Sequence, residues 1–119
     1  MNQPVRSWVK EVVSCDMNLP IANVAKLMTS YNTDIALVRS STGEYLGMIT
    51  DVDIRQRVIA PAISPDRPAY EFMNSPLISI GEQESLSRAV VLMLEQGIEH
   101  LCVRDASNRV CGTIRKADL

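Results

Sequence analysis

Gly47-Met48-Ile49-Thr50-Asp51-Val52-Asp53 runs from a glycine through two apolar residues to a hydroxyl, with a carboxylate three residues beyond it. The apolar side chains Leu46, Met48 and Ile49 suit a strand, and Pro61 marks where a following helix must stop. A strand that ends at a hydroxyl and opens a helix is a place where phosphate and sugar can be held. The helix start offers unpaired N–H groups and the positive end of its dipole. Thr50 adds a hydroxyl, and the Asp53 carboxylate, an acceptor only, suits the two adjacent hydroxyls of a ribose. The same Thr50-x-x-Asp53 spacing also fits a helix capping box, and both readings stand at this point.

At an offset of 65 residues the stretch returns as Gly112-Thr113-Ile114-Arg115-Lys116-Ala117-Asp118. Working outward, every neighbouring element returns with it. Upstream, Ile35-Ala36-Leu37-Val38 is an apolar run of a strand buried on both faces, answered by Leu101-Cys102-Val103. Ile21, Val24, Ala25 and Met28 occupy one helical face, answered by Leu86, Ala89, Val90 and Met93. A first strand is placed over residues 11–14, and Val12-Val13-Ser14-Cys15 is answered by Leu77-Ile78-Ser79-Ile80. The gap-free register predicts two β-α-β-β-α repeats, an α+β fold with the repeats packed by their small sheets in a pseudo-two-fold arrangement. The first repeat is placed at residues 8–59, a proline-bearing linker at 60–72 and the second repeat at 73–119. Residues 1–7 form a lead-in arm anchored by Trp8, and residues 70–74 a short helical turn. The last helix is barely begun at Leu119, which suggests a fragment of a larger protein.

Composition narrows the function. Net charge is −2, without a basic stripe, which argues against nucleic acid as a partner. No apolar run approaches the roughly 20 residues that span a bilayer, so no membrane partner is expected. Cys15, Cys102 and Cys111 lack metal-ligand spacing and are expected to be buried hydrophobes of a cytoplasmic protein. With one histidine, no nucleophile–base pair and no metal cluster, the chain is read as a non-enzyme. Ala89-Val90-Val91-Leu92-Met93-Leu94 is apolar nearly all round, which predicts a helix covered on both sides and a homodimer through helices.

The duplicated set resembles a tandem pair of cystathionine-beta-synthase (CBS) domains, a Bateman module. The resemblance rests on Leu46–Ile54, close to a G-x-x-T-x-x-D pattern, on Gly97–Val103, and on Asp66–Met73 before the second repeat. It implies a regulatory adenosine-nucleotide sensor (AMP, ADP, ATP or S-adenosylmethionine) that controls an attached effector domain. The flanks are also similar to those of bacterial signal-transduction proteins. By resemblance, Asp53 and Asp118 hold ribose, Thr50 faces phosphate, Ile78 and Ile98 bury the adenine of the Asp53 cleft, and His100 lies near the phosphates. Arg115 departs from the pattern, and could pair with phosphate, point to solvent or fill the cleft. Asp34 and Glu99 would repel a polyphosphate, favouring AMP over ATP. The alternative is a ligand-free dimerisation module bracing a larger protein.

Overall fold

The structure, a computed structural model, describes residues 3–119. The first unit is Val12–Leu77, and the second joins the segment up to Glu11 to Ile78–Leu119.

In the first unit, β1 (Val13–Asp16) pairs parallel with β2 (Ile35–Arg39), and β2 pairs antiparallel with β3 (Tyr45–Thr50). Helix α1 (Ile21–Ser30) makes the crossover, and α2 (Asp51–Ile54) follows β3 and passes into a π-helical turn, Arg55–Ile59. The core holds Ile21, Val24, Met28, Ala36, Val38, Ile49 and Val58, together with Ala69 and Phe72. In the second unit β4 (Ser79–Gly81), α3 (Leu86–Gln96), β5 (His100–Arg104) and β6 (Val110–Arg115) repeat that order and pairing. Its core is Ile80, Leu86, Ala89, Met93, Leu101, Val103 and Ile114, with Val5.

The repeat extends to details. A bulge between Val38 and Arg39 recurs between Val103 and Arg104. Arg39 donates to Ser14 Oγ at 2.8 Å, and Arg104 to Ser79 Oγ at 3.0 Å. Both long helices are followed by a left-handed residue: Asn32 at φ +49°, two residues beyond Ser30, and Gly97 at φ +65°, directly after Gln96. Thr33 N–H returns to Met28 O and Ile98 N–H to Met93 O, each at 3.0 Å, capping carbonyls that the helix leaves open.

Several expectations shift. Strand β1 begins later than expected and includes Cys15, which is buried; the Asp16 carboxylate, accepting from Asn18 N–H at 2.8 Å, makes the turn instead. The short turn before the second repeat falls at Ala69–Glu71. Val5 is fully buried whereas Trp8 is 39% exposed, so Val5 anchors the N-terminal segment. That segment is the counterpart of the linker. Pro4 bridges Ser85 and Lys10 bridges Thr113, as Pro68 bridges Pro20 and Asn74 bridges Met48. Each unit is thus completed by the segment that precedes the other unit's first strand.

Cys111 is exposed, contrary to expectation, because it occupies the outward face of β6. Burial pushes the Cys15 and Cys102 thiols up to about 11, and partial burial with the Glu82 and Asp105 carboxylates raises that of Cys111. Ellman's reagent at pH 8 is therefore expected to modify one thiol per native chain, slowly, and none in Cys111→Ser. Rapid reaction of two or more would contradict the burial of Cys15 and Cys102.

On α3, Leu86, Ala89 and Met93 are buried, while Val91 and Leu94 are 43% and 63% exposed. No helix among the described residues is long and apolar enough to cross a membrane.

Candidate functional site

Strand β3 delivers Thr50 to the start of α2 in extended conformation, with φ −112° and ψ 166°. Asp51 N–H is bonded to the Asp34 carbonyl at 3.0 Å, which closes the turn. Asp53 N–H donates to Thr50 Oγ1 at 3.3 Å, and Thr50 N–H donates to Asp53 Oδ2 at 2.9 Å. The capping box is realised, and Thr50 Oγ1 also donates to Asp53 Oδ2 at 3.0 Å.

A residue that sequence reasoning missed completes this cluster. Asn74 Nδ2 donates to Asp53 Oδ2 at 2.7 Å. Asn74 is brought there by its backbone, whose N–H and C=O pair with Met48 at 2.8 and 3.0 Å. Gly47 is what permits this approach. A Cβ at Gly47 would lie 2.5 Å from the Asn74 carbonyl oxygen. Oδ2 thus takes three donors, while among the described residues Oδ1 has only the Arg57 guanidinium at 3.9 Å, beyond hydrogen-bond distance. The Asp53 side chain is 13% exposed.

The second unit builds the same place with different chemistry. Lys10, 64 residues before Asn74, bridges Thr113 across Gly112. A Cβ on Gly112 would collide with the Lys10 carbonyl. The Lys10 ammonium lies 3.1 Å from Asp118 Oδ2. Arg115 forks onto the same carboxylate, Nη2 to Oδ1 at 3.0 Å and Nε to Oδ2 at 3.3 Å. Of the fates open to Arg115, the structure shows it engaged by Asp118. The i, i+3 spacing of opposite charges was the available signal. The Arg115 guanidinium, and after it the Lys10 ammonium, hold the Asp118 carboxyl below the usual carboxylate range. With the folded value lowered, this contribution is present above the unfolded value of about 4. It is lost as pH falls through the folded value.

The remaining expected residues are placed as follows. His100 is buried at the start of β5, opposite Arg115 in register. Ile78 and Ile98 are half-buried against the core of the second unit, the unit that carries Asp118 rather than Asp53. Glu99 is paired with Lys116 at 3.3 Å. An open groove of 710 Å³ in the first unit is lined by Arg57, Arg67, Glu71 and Phe72, among others. Its guanidinium groups are committed, Arg67 to the Glu71 carboxylate and Arg57 to the Phe72 and Glu71 carbonyls. Among the described residues no cluster of three or more His, Cys, Asp or Glu could hold a metal ion.

The CBS domain family model matches residues 5–60 and 69–119, the two repeats with their exchanged segments. The chain belongs to the CBS domain family. An uncharacterized protein of Methanopyrus kandleri is 23% identical over 111 residues, 92% of this chain and 57% of that protein. The chain spans between 28% and 61% of the length of the curated relatives it matches. Among solved structures, the CBS domain protein of Pyrobaculum aerophilum complexed with AMP superposes with a TM-score of 0.88 at 22% identity, covering 98% of this chain and 90% of that one. The CBS domain pair of protein MJ0100, in complex with 5′-methylthioadenosine and S-adenosyl-L-methionine, gives a TM-score of 0.84 at 23% identity, covering 99% and 93%. These likenesses establish the CBS-pair fold.

Proposed function

We propose that the chain is a regulatory module that takes an adenosine-type ligand at Thr50 and Asp53 and controls an attached effector domain. The observation that carries this reading is the Asp53 carboxylate. One oxygen is saturated and holds the side chain in place, while the other takes no hydrogen bond among the described residues. That oxygen can accept from ribose hydroxyls without dismantling the helix cap. The fold it sits on is shared with CBS proteins solved with AMP and with S-adenosyl-L-methionine.

Ligand charge follows from the helix start. Asp51 and Asp53 already occupy its first turn. ATP would bring about two more negative charges to these carboxylates than AMP does, so AMP or S-adenosylmethionine is favoured over ATP. The ligand acts by population shift, favouring the module conformation that it binds best. Coupling to the effector is expected to be on the order of 1–3 kcal/mol.

The test is a thermal-shift series with AMP, ADP, ATP and S-adenosylmethionine against wild type and Asp53→Ala. At about a hundredfold excess over its dissociation constant, a ligand stabilises by roughly 2.7 kcal/mol. The wild-type midpoint should rise by several degrees, and the rise should vanish in Asp53→Ala. A second reading, a dimerisation module without ligand, is favoured by the exposed Val91 and Leu94 on α3. No shift with any ligand, together with a dimer by light scattering, would select it.

A further inference from the structure

We propose that each carboxylate is held by a built-in competitor, weak in the first unit and strong in the second, so that the chain takes one adenosine-type ligand, at Asp53. The inference rests on the ligand reading above and specifies its stoichiometry.

Asn74 and Lys10 are equivalent residues. Each belongs to the segment that completes its unit, and each is carried across a glycine by an antiparallel bridge to the strand before the carboxylate. Each puts its side chain on that carboxylate. Their chemistry differs. Asn74 offers a neutral amide to one oxygen of Asp53, and the other has the Arg57 guanidinium at 3.9 Å, beyond hydrogen-bond distance. At Asp118 both oxygens are taken by cations, Oδ1 by Arg115 and Oδ2 by Arg115 and Lys10.

A ribose hydroxyl is a neutral donor. To reach Asp118 it would have to displace a two-pronged guanidinium and an ammonium, which bring opposite charge as well as hydrogen bonds to the carboxylate, whereas the hydroxyl brings hydrogen bonds alone. At Asp53 it need displace no hydrogen bond from Oδ1, which faces only the more distant Arg57 guanidinium at 3.9 Å among the described residues. The replacement of the threonine of the first repeat by Arg115 thus turns a helix cap into a lock, and Lys10 of the N-terminal segment closes it.

Isothermal titration with adenosine tests this, because adenosine carries the diol without a phosphate that would respond to the loss of cations. Wild type should bind one adenosine per chain. Arg115→Thr/Lys10→Ala should bind two, and Asp53→Ala none. Adding Asp53→Ala to the double variant should leave one. 2′,3′-Dideoxyadenosine, which lacks the diol, should not bind any of them. Two adenosines on wild type, or still one on the double variant, overturn the inference and leave the ligand reading standing. No binding to any variant overturns both. A second measurement needs no variant: carboxyl carbon resonances of wild type under adenosine titration. The Asp53 resonance should move and that of Asp118 should stay; movement of Asp118 overturns the inference even if the double variant does not fold.

Discussion

Gly47→Ala is expected to destabilise the protein by about 3 kcal/mol, far more than one methyl group on a surface strand should. The added Cβ would sit 2.5 Å from the Asn74 carbonyl oxygen and 3.1 Å from Met73 Cγ and Sδ. The Met73 side chain can turn away, but the carbonyl belongs to a backbone held by two hydrogen bonds to Met48. Relief therefore requires the whole 73–74 segment to retreat. That breaks the bridge and lifts the Asn74 amide off Asp53. The three lost hydrogen bonds contribute about 1 kcal/mol each, and the retreat relieves the overpacking that would otherwise cost roughly 1–3 kcal/mol. The midpoint should fall by roughly 10 °C in a domain of this size. Gly97→Ala is the control. It meets no atom within 4 Å, and only its left-handed backbone, φ +65°, opposes a side chain. Its penalty should be about 1 kcal/mol. Equal melting points for the two variants would show that Gly47 is not needed for close approach.

The same glycine shows where sequence reading stops. The motif was visible because strand and helix periodicities leave a pattern that repeats at one offset, 65 residues. Its reason was not visible, because the group that needs the space is a backbone carbonyl. Asn74 and Lys10 are also unlike in type and stand at an offset of 64, one residue out of register with everything that follows. The slip hides that residues 3–10 and 67–74 do the same work. Val5 was overlooked for a related reason. A single valine in a polar arm has no periodicity, and its core partners Leu86 and Leu101 lie some eighty to a hundred residues away. At the candidate site, Thr50 and Asp53 were legible as residues but not as an arrangement. A capping box and a sugar ligand call for the same two side chains. Only the placement of Asn74 shows which carboxylate oxygen is spent and which remains.

The other large effect is expected at Val5→Asp, with a loss of about 3 kcal/mol. Val5 is fully buried with Leu86, Ala89, Met93 and Ile114 in the core of the second unit. Around it, Val5 N–H donates to Glu84 O at 2.8 Å, Arg6 N–H to Glu82 O at 3.0 Å, and Leu86 N–H to Gln3 O at 2.9 Å. A carboxylate in that apolar setting, unpaired, would cost more than the segment gains by docking. The penalty is therefore capped, since the segment can detach. Detachment loses about 2 kcal/mol of valine burial and several hydrogen bonds of roughly 1 kcal/mol each, offset by the chain entropy released. Val5→Ala, which keeps the segment docked, should lose about 1–2 kcal/mol. Hydrogen exchange separates the two variants. In Val5→Asp the Leu86 and Thr113 amides, bonded to Gln3 and Lys10, lose protection, whereas the Met48 amide, bonded to Asn74 in the first unit, keeps it. Lys10 leaves with the segment, so the Asp118 carboxyl should titrate closer to its ordinary range, held only by Arg115. Unchanged protection at Leu86 and Thr113 would mean that the segment stays docked without Val5, and that Val5 is not its anchor.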